Sequence, residues 1–320
     1  MPEKKILDLI IIGASAAGCS AAIYAARRNL NFAIITKDVG GEVALSGEVN
    51  NWPGIIDTNG FELAQNFRKH VESYGKKFDE GWEVVEIKQE KKHHLVITRN
   101  GSGEEKTWET KTVIIASGIH PRLLGLPGEE NLRGRGVTYC TVCDGPLYRG
   151  KVTATIGAGN AALESALMMA GIAKKVYLVS KYPNDEASKG GFPKGEDILI
   201  EKVKKIENIE IIYNADTKEI IADKVVSGLK YADKNTGEIK EIAVQGLMVH
   251  VGMVPNSGFA EVQKDKLGQI EVDNHCRTNV PGIFAAGDVT NVAYKQIVIA
   301  AVQGVTAALS AIEYINKWHE

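Results

Sequence analysis

Cysteine is scarce: the 320 residues hold only four, Cys19, Cys140, Cys143 and Cys276. So few in so long a chain exclude a scaffold built on disulfides. An excess of one charge is also missing. Charged residues make up 24% of the chain, yet the formal net charge is −2. There is neither the basic surplus that binds nucleic acid nor the acidic block of a disordered tail. No apolar run reaches the ~20 residues a membrane span needs. The opening Met1–Lys5 runs straight into the short apolar stretch Ile6–Ile12, without the longer apolar region and small-residue cleavage site of a signal peptide. The expectation is a soluble, cytosolic protein with no nucleic-acid or membrane partner. Apolar residues, at 44%, suffice for packed cores, and the length suggests about two domains.

The chain reads as α/β, with two Rossmann-like dinucleotide-binding openings. The aliphatic run Leu9–Ile12 reads as a buried parallel strand. After it come the turn Gly13-Ala14-Ser15-Ala16-Ala17-Gly18, an Ala-rich helix over Cys19–Asn29 and a strand over Phe32–Thr36. The grammar recurs as strand Val152–Ile156, turn Gly157-Ala158-Gly159-Asn160-Ala161-Ala162, helix Leu163–Ala170 and strand Lys175–Val179. Glycines between strand and helix let backbone N–H groups approach a pyrophosphate, and the helix terminus adds partial positive charge. In the first turn Ser15 replaces the middle glycine; its hydroxyl is one candidate donor to a phosphate oxygen. Hairpin-like polar stretches, Glu83–Thr110 and Ile209–Ile242, precede the strand-to-turn segments Val113–Pro121 and Leu247–Pro255. This predicts a discontinuous first domain, about 1–117 plus 248–320, with a second domain inserted at about 118–247.

Cys140-Thr141-Val142-Cys143-Asp144-Gly145 is the candidate redox centre. Cysteines at this spacing close and reopen a small disulfide, and a neighbouring acid manages the proton that moves when a thiolate leaves. Half of a zinc site is disfavoured because a second cysteine pair is missing, so no metal is expected; incidental burial is the other alternative. Cys19 reads as a small core residue, Cys276 as structural or merely exposed near a surface turn, and His93–His94 as part of a solvated hairpin. Asp288, ending Phe284-Ala285-Ala286-Gly287-Asp288, is placed to accept from a cofactor hydroxyl at a strand end; a helix cap is its alternative reading.

These segments together resemble the low-molecular-weight thioredoxin reductases over nearly the whole chain. Gly40-Gly41-Glu42, Asn51-Trp52-Pro53-Gly54, Val251–Asn256 and Glu164 after the second turn carry the resemblance further. It implies FAD in the discontinuous domain, contacted at Gly13, Ser15, Ala16, Gly18, Gly40, Gly41, Glu42, Asn51, Gly287, Asp288, Lys295, Gln296 and Ile297. It implies a pyridine nucleotide in the inserted domain at Gly157, Gly159, Asn160, Ala161, Glu164, Ser180 and Lys181. It also implies a homodimer and a thioredoxin-like protein partner. Cys143 would lie against the flavin, Asp144 would act as acid and base, and Cys140 would attack the partner's disulfide. Since dithiol and nucleotide share one domain, that domain is expected to swivel about hinges near Ser117–His120 and Leu247–Gly252.

One departure bears on the electron donor. The family's arginines for the 2′-phosphate of NADPH, directly after the strand Val176–Val179, are absent. Ser180 stands at the strand end, and Lys181, Lys189 and Lys194 occupy a longer loop. Lysine keeps charge without the planar fork. An acid for the ribose of NADH is missing from the strand end too; Asp185 and Glu186 come later. Three donors stay open: NADPH held by lysines, NADH without strong discrimination, and reduced ferredoxin. Two other functional classes are a ferredoxin–NADP reductase-like flavoprotein that needs no dithiol, and a redox or nucleotide sensor with negligible turnover.

Overall fold

The aliphatic run near the N-terminus is the centre of the first sheet. The computed structural model describes residues 6–46 and 48–318; Met1–Lys5, read above for targeting, lie outside the described residues. Strand Leu7–Ala14 pairs in parallel with Phe32–Val39 on one side and Glu105–Ile115 on the other. The eleven-residue strand Glu105–Ile115 serves two further neighbours. Its first half runs antiparallel to His94–Asn100, and its last residues pair in parallel with Ile283–Ala285. Odd positions of the central strand, Leu9 and Ile11, face a layer of helices; even positions, Ile10 and Ile12, face a second cluster with Val84, Ile87, Val96 and Ile270.

The helical layer depends on small residues. Helix Ala16–Arg27 begins earlier than expected because Ser15 is extended and acts as its N-cap position. It ends by Asn29, which takes a positive φ of 53°. The C-terminal helix Ile297–Asn316 lies against it so closely that a Cβ on Gly304 would stand 2.0 Å from the Ala17 carbonyl oxygen. By length and composition this helix could cross a membrane, contrary to the expectation that no run was long enough. Here Ala300, Ala307, Ala308 and Ala311 are buried in the core shared with Ala16–Arg27. Helix Gly60–Glu72 starts at Asn59, whose side chain accepts the Glu62 N–H at 2.9 Å. Asn59→Ala is expected to cost roughly 1 kcal/mol and lower the thermal midpoint by about 2 °C, read by circular dichroism.

The second sheet is five-stranded and parallel, in the order Val137–Thr138, Gly246–Val249, Val152–Ile156, Lys175–Val179, Ile209–Ile212. Helices Asn160–Ala170 and Asp197–Lys204 cover one face. The antiparallel strands Ala215–Ala222, Val226–Asp233 and Ile239–Ala243 supply the core of the other. Ile209–Ile212, expected to open a hairpin, is instead the parallel edge strand beside Lys175–Val179.

The chain divides into two compact units, one up to His120 and from Val254 onward, the other Pro121–Met253. The second crossing falls later than the sequence suggests, because Gly246–Val249 is an interior strand of the second sheet. On the first unit's side the two crossings are tied by Asn256: Ser117 Oγ donates to its carbonyl at 2.6 Å, and its amide donates to the Ser117 carbonyl at 2.8 Å.

Candidate active site

Cys140 and Cys143 form a disulfide with Cα atoms 5.3 Å apart. Cys140 is the N-cap of the short helix Thr141–Asp144, and its sulfur accepts the Cys143 N–H at 3.3 Å. Both cysteines are half-buried while Val142 between them is exposed. Each inward-facing residue of the turn is held by a side chain that the sequence reading passed over. The Thr141 hydroxyl lies 2.6 Å from Ser165 Oγ and 2.8 Å from His250 Nε2. Burial pushes the His250 imidazole down to about 4, so it is a neutral hydrogen-bond partner at neutral pH. The Thr138 hydroxyl donates to Asp144 Oδ2. Asp144 Oδ1 is buried with no hydrogen-bond partner. Burial raises the Asp144 carboxyl, against the Thr138 hydrogen bond and the Arg133 charge. A carboxyl so raised, with one oxygen bare beside a disulfide, is suited to take and return a proton.

In the first unit the glycine turn has the form a pyrophosphate requires. Gly13 has φ +104°, and a Cβ on Gly18 would lie 1.9 Å from the Gly13 carbonyl oxygen. Helix Ala16–Arg27 carries neither a side-chain cap nor an acid in its first turn, so its leading N–H groups face an anion site unopposed. The Ser15 hydroxyl, a candidate donor to a phosphate oxygen, instead donates to the Gly40 carbonyl at 2.7 Å. Gly40 and Gly41 start the short helix Gly41–Ala44, with Glu42 in its first turn. Asn51 donates to the Gln296 side chain at 3.3 Å, just before Ile297 begins the C-terminal helix. Lys295 points inward: its ammonium donates to the Thr290 carbonyl at 2.5 Å and to Gln269 at 3.2 Å. Gly287 and Asp288 form a turn directly after strand Ile283–Ala285. These residues fit a dinucleotide such as FAD: the first-turn N–H groups would hold its phosphates and Asp288 would accept from a hydroxyl.

Burial pushes the Asp288 carboxyl up to about 6, against the pull of the Lys295 ammonium and with a push from Glu42. A raised carboxyl stabilises the fold below its unfolded pKa, and that stability is lost as pH climbs through the folded value. Asp288→Asn should therefore make the apoprotein more stable at pH 8 by roughly 1–2 kcal/mol, with the difference vanishing below about pH 4. Urea titrations at the two pH values check this.

In the second unit helix Asn160–Ala170 again lacks a side-chain cap and a first-turn acid, and Gly159 is its N-cap. A Cβ on Gly157 would stand 2.4 Å from the His250 carbonyl oxygen. Ala161 and Glu164 are exposed. The Asn160 amide is occupied: it donates to Glu196 Oε1 and accepts the Glu196 N–H, both at 2.8 Å. Ser180 is corrected as a nucleotide contact. It is 0% exposed, and its hydroxyl donates to the Gly191 carbonyl at 2.5 Å, because the loop after it folds inward on the buried Phe192. Lys181 and Lys194 are exposed, while Lys189 reaches Asp197 at 3.4 Å.

One further reading changes, and of the two readings of Cys276, structural or merely exposed, the first holds. His94 is buried, not solvated; burial lowers its pKa, against a pull from the Pro281 backbone. Cys276 is buried as well, with a backbone φ of 59°. Burial pushes the thiols of Cys19 and Cys276 up to about 12 and about 11, which leaves both inert. Among the described residues no cluster of histidine, cysteine and carboxylates suits a metal.

Two strand–glycine–helix turns and a disulfide with an adjoining half-buried acid are the parts that a nucleotide-dependent disulfide exchange site requires. The chain belongs to the pyridine nucleotide-disulphide oxidoreductase family, whose model matches residues 7–304. It is 36% identical to an NADH dehydrogenase of Bacillus subtilis over 98% of its length, spanning 60% of that protein. The chain thus covers about three fifths of the curated relatives it matches. Its fold is similar to the crystal structure of thioredoxin reductase from Streptococcus pyogenes, with TM-score 0.89 and 33% identity, covering 98% of this chain and 100% of that one. It is also similar to a ferredoxin-flavin thioredoxin reductase from Clostridium acetobutylicum, with TM-score 0.52 and 29% identity, covering 98% of both.

Proposed function

We propose that this chain reduces the disulfide of a thioredoxin-like protein, as a homodimer, passing electrons from FAD through Cys140 and Cys143, with NADPH as donor. The observation that carries the reading is the Cys140–Cys143 disulfide standing beside an acid with one bare, buried oxygen. Bound FAD supplies the electron pair that opens this disulfide. The chain's own residues then work as follows. Asp144 takes the proton of the Cys140 thiol, and the Cys140 thiolate attacks the partner's disulfide. Cys143 then attacks Cys140, restoring the internal disulfide; its own proton passes to the sulfur it displaces, and the partner leaves as a dithiol. Asp144 returns its proton to the thiolate that the first attack released. The swivel of the inserted unit, with hinges at the two crossings, belongs to the same proposal.

A second reading of the donor is favoured by Ser180. With that residue buried and the arginine fork absent, neither the ribose acid of an NADH site nor the bidentate grip of an NADPH site stands at the strand end. A protein donor such as reduced ferredoxin takes the place of the nucleotide in that reading. Anaerobic titration of the flavin absorbance separates the two. Bleaching by low NADPH means that Lys181 and Lys194 replace the arginines. Equal bleaching by NADH means that discrimination is lost. Bleaching by reduced ferredoxin alone assigns the donor to the protein class.

A further inference from the structure

Thr138 makes more contacts around the dithiol than its place outside the Cys-x-x-Cys motif suggests. It lies on the two-residue strand Val137–Thr138, paired in parallel with Leu247–Met248 inside the second sheet, and it is 3% exposed. Its hydroxyl oxygen accepts the Cys140 N–H at 3.2 Å. Its single proton has two acceptors in reach, Asp144 Oδ2 and, at 3.5 Å, the Cys140 carbonyl. The carboxylate contact is the shorter and the charge-assisted one, so it takes the proton. One sheet-anchored hydroxyl thus holds both the leading N–H of the redox turn and one oxygen of its acid.

We propose that Thr138 is a positioning residue for disulfide exchange: it fixes Asp144 by Oδ2, leaves Oδ1 bare for the proton, and holds that geometry in register with Cys140. The proposal rests on the reading of Asp144 as the proton carrier. The exchange balances without any further reductant. A reduced Cys140–Cys143 pair and a disulfide become an internal disulfide and two thiols; Asp144 carries the proton from the Cys140 thiol to a departing thiolate. A hydroxyl donating to the carboxylate favours its ionised, proton-accepting form against the burial that opposes it. The other groups acting on or coupled to this carboxyl are the Arg133 guanidinium, which also favours the ionised form, and the Tyr148 phenol, whose own pKa Asp144 raises. Neither lies on the strand that carries Thr138.

The test uses the FAD-loaded enzyme reduced with dithionite, so that no donor need be known, and follows its reoxidation by hydroxyethyl disulfide across pH. The acid limb of the rate should move up by about one unit in Thr138→Val and in Thr138→Ala. Below the limb this is about a tenfold loss of rate, with the rate above it nearly unchanged. Thr138→Ser should return the limb to its original pH. Asp144→Asn is the reference and should remove the limb. If Asp144→Asn keeps it, the proton-carrier reading fails and takes this proposal with it. If Asp144→Asn removes the limb while both hydroxyl-free variants keep it at the original pH, only the role of Thr138 is overturned. The same holds if their rates fall equally at every pH.

Discussion

Cys140→Ser is expected to lower turnover with a protein disulfide by about a thousandfold or more, because Cys143 is left without the partner thiol that closes the internal disulfide. Cys19 and Cys276 are buried with thiols pushed up to about 12 and about 11, so neither substitutes. Reduction of the flavin by its donor should be unaffected, since that step needs no thiol. The companion Cys143→Ser should also lose turnover, but with a different residue of chemistry. Cys140 still attacks, the resolving thiol is missing, and a mixed disulfide with the partner accumulates. Non-reducing electrophoresis of Cys143→Ser with an oxidised thioredoxin reads this directly. A ferredoxin–NADP reductase-like flavoprotein would keep full electron transfer in both variants and trap nothing.

The second large effect belongs to Gly18. A methyl group there would have to fit 1.9 Å from the Gly13 carbonyl oxygen and 2.8 Å from its carbonyl carbon, backbone atoms that cannot swing aside as a side chain would. Gly18→Ala should push helix Ala16–Arg27 away from strand Leu7–Ala14 and cost about 3 kcal/mol or more. The same displacement moves the first-turn N–H groups off the phosphates, so the purified protein should lose most of its FAD. Gly101→Ala is the control: nothing lies within 4 Å of the added carbon, and the change should stay within about 0.5 kcal/mol. Flavin content per chain and the thermal midpoint, measured on both variants, check the contrast.

How much of this was legible beforehand depends on whether the information is local. The two glycine turns were readable because strand, turn and helix are contiguous in sequence, and the structure puts Gly13–Gly18 and Gly157–Ala162 across the two strand-to-helix junctions. The Cys140–Cys143 pairing was readable for the same reason. What escaped was set by partners distant in sequence. Ser15 looked free to meet a phosphate, but its hydroxyl is spent on Gly40, 25 residues on. Ser180 looked like a strand-end contact until the loop brought Gly191 and Phe192 over it. His94 read as solvated because lysines precede it, yet the sheet buries it. Thr138, Ser165 and His250 carry no motif at all; only the packing of the second sheet gathers them beneath the redox turn. The domain border after Gly246–Val249 was missed because a four-residue strand looks alike at a domain edge and in a sheet interior.

In the proposed reaction the flavin and the Cys140–Cys143 disulfide share electrons. The measurement that meets it most directly is an anaerobic dithionite titration of the FAD-loaded protein, counting two-electron equivalents to full bleaching and then free thiols. About two equivalents per flavin are expected, one each for flavin and disulfide, with the new thiols mapped to Cys140 and Cys143, and about one equivalent for Cys140→Ser. One equivalent in the unaltered protein, with the disulfide still closed when the flavin is fully reduced, would contradict the proposed reaction.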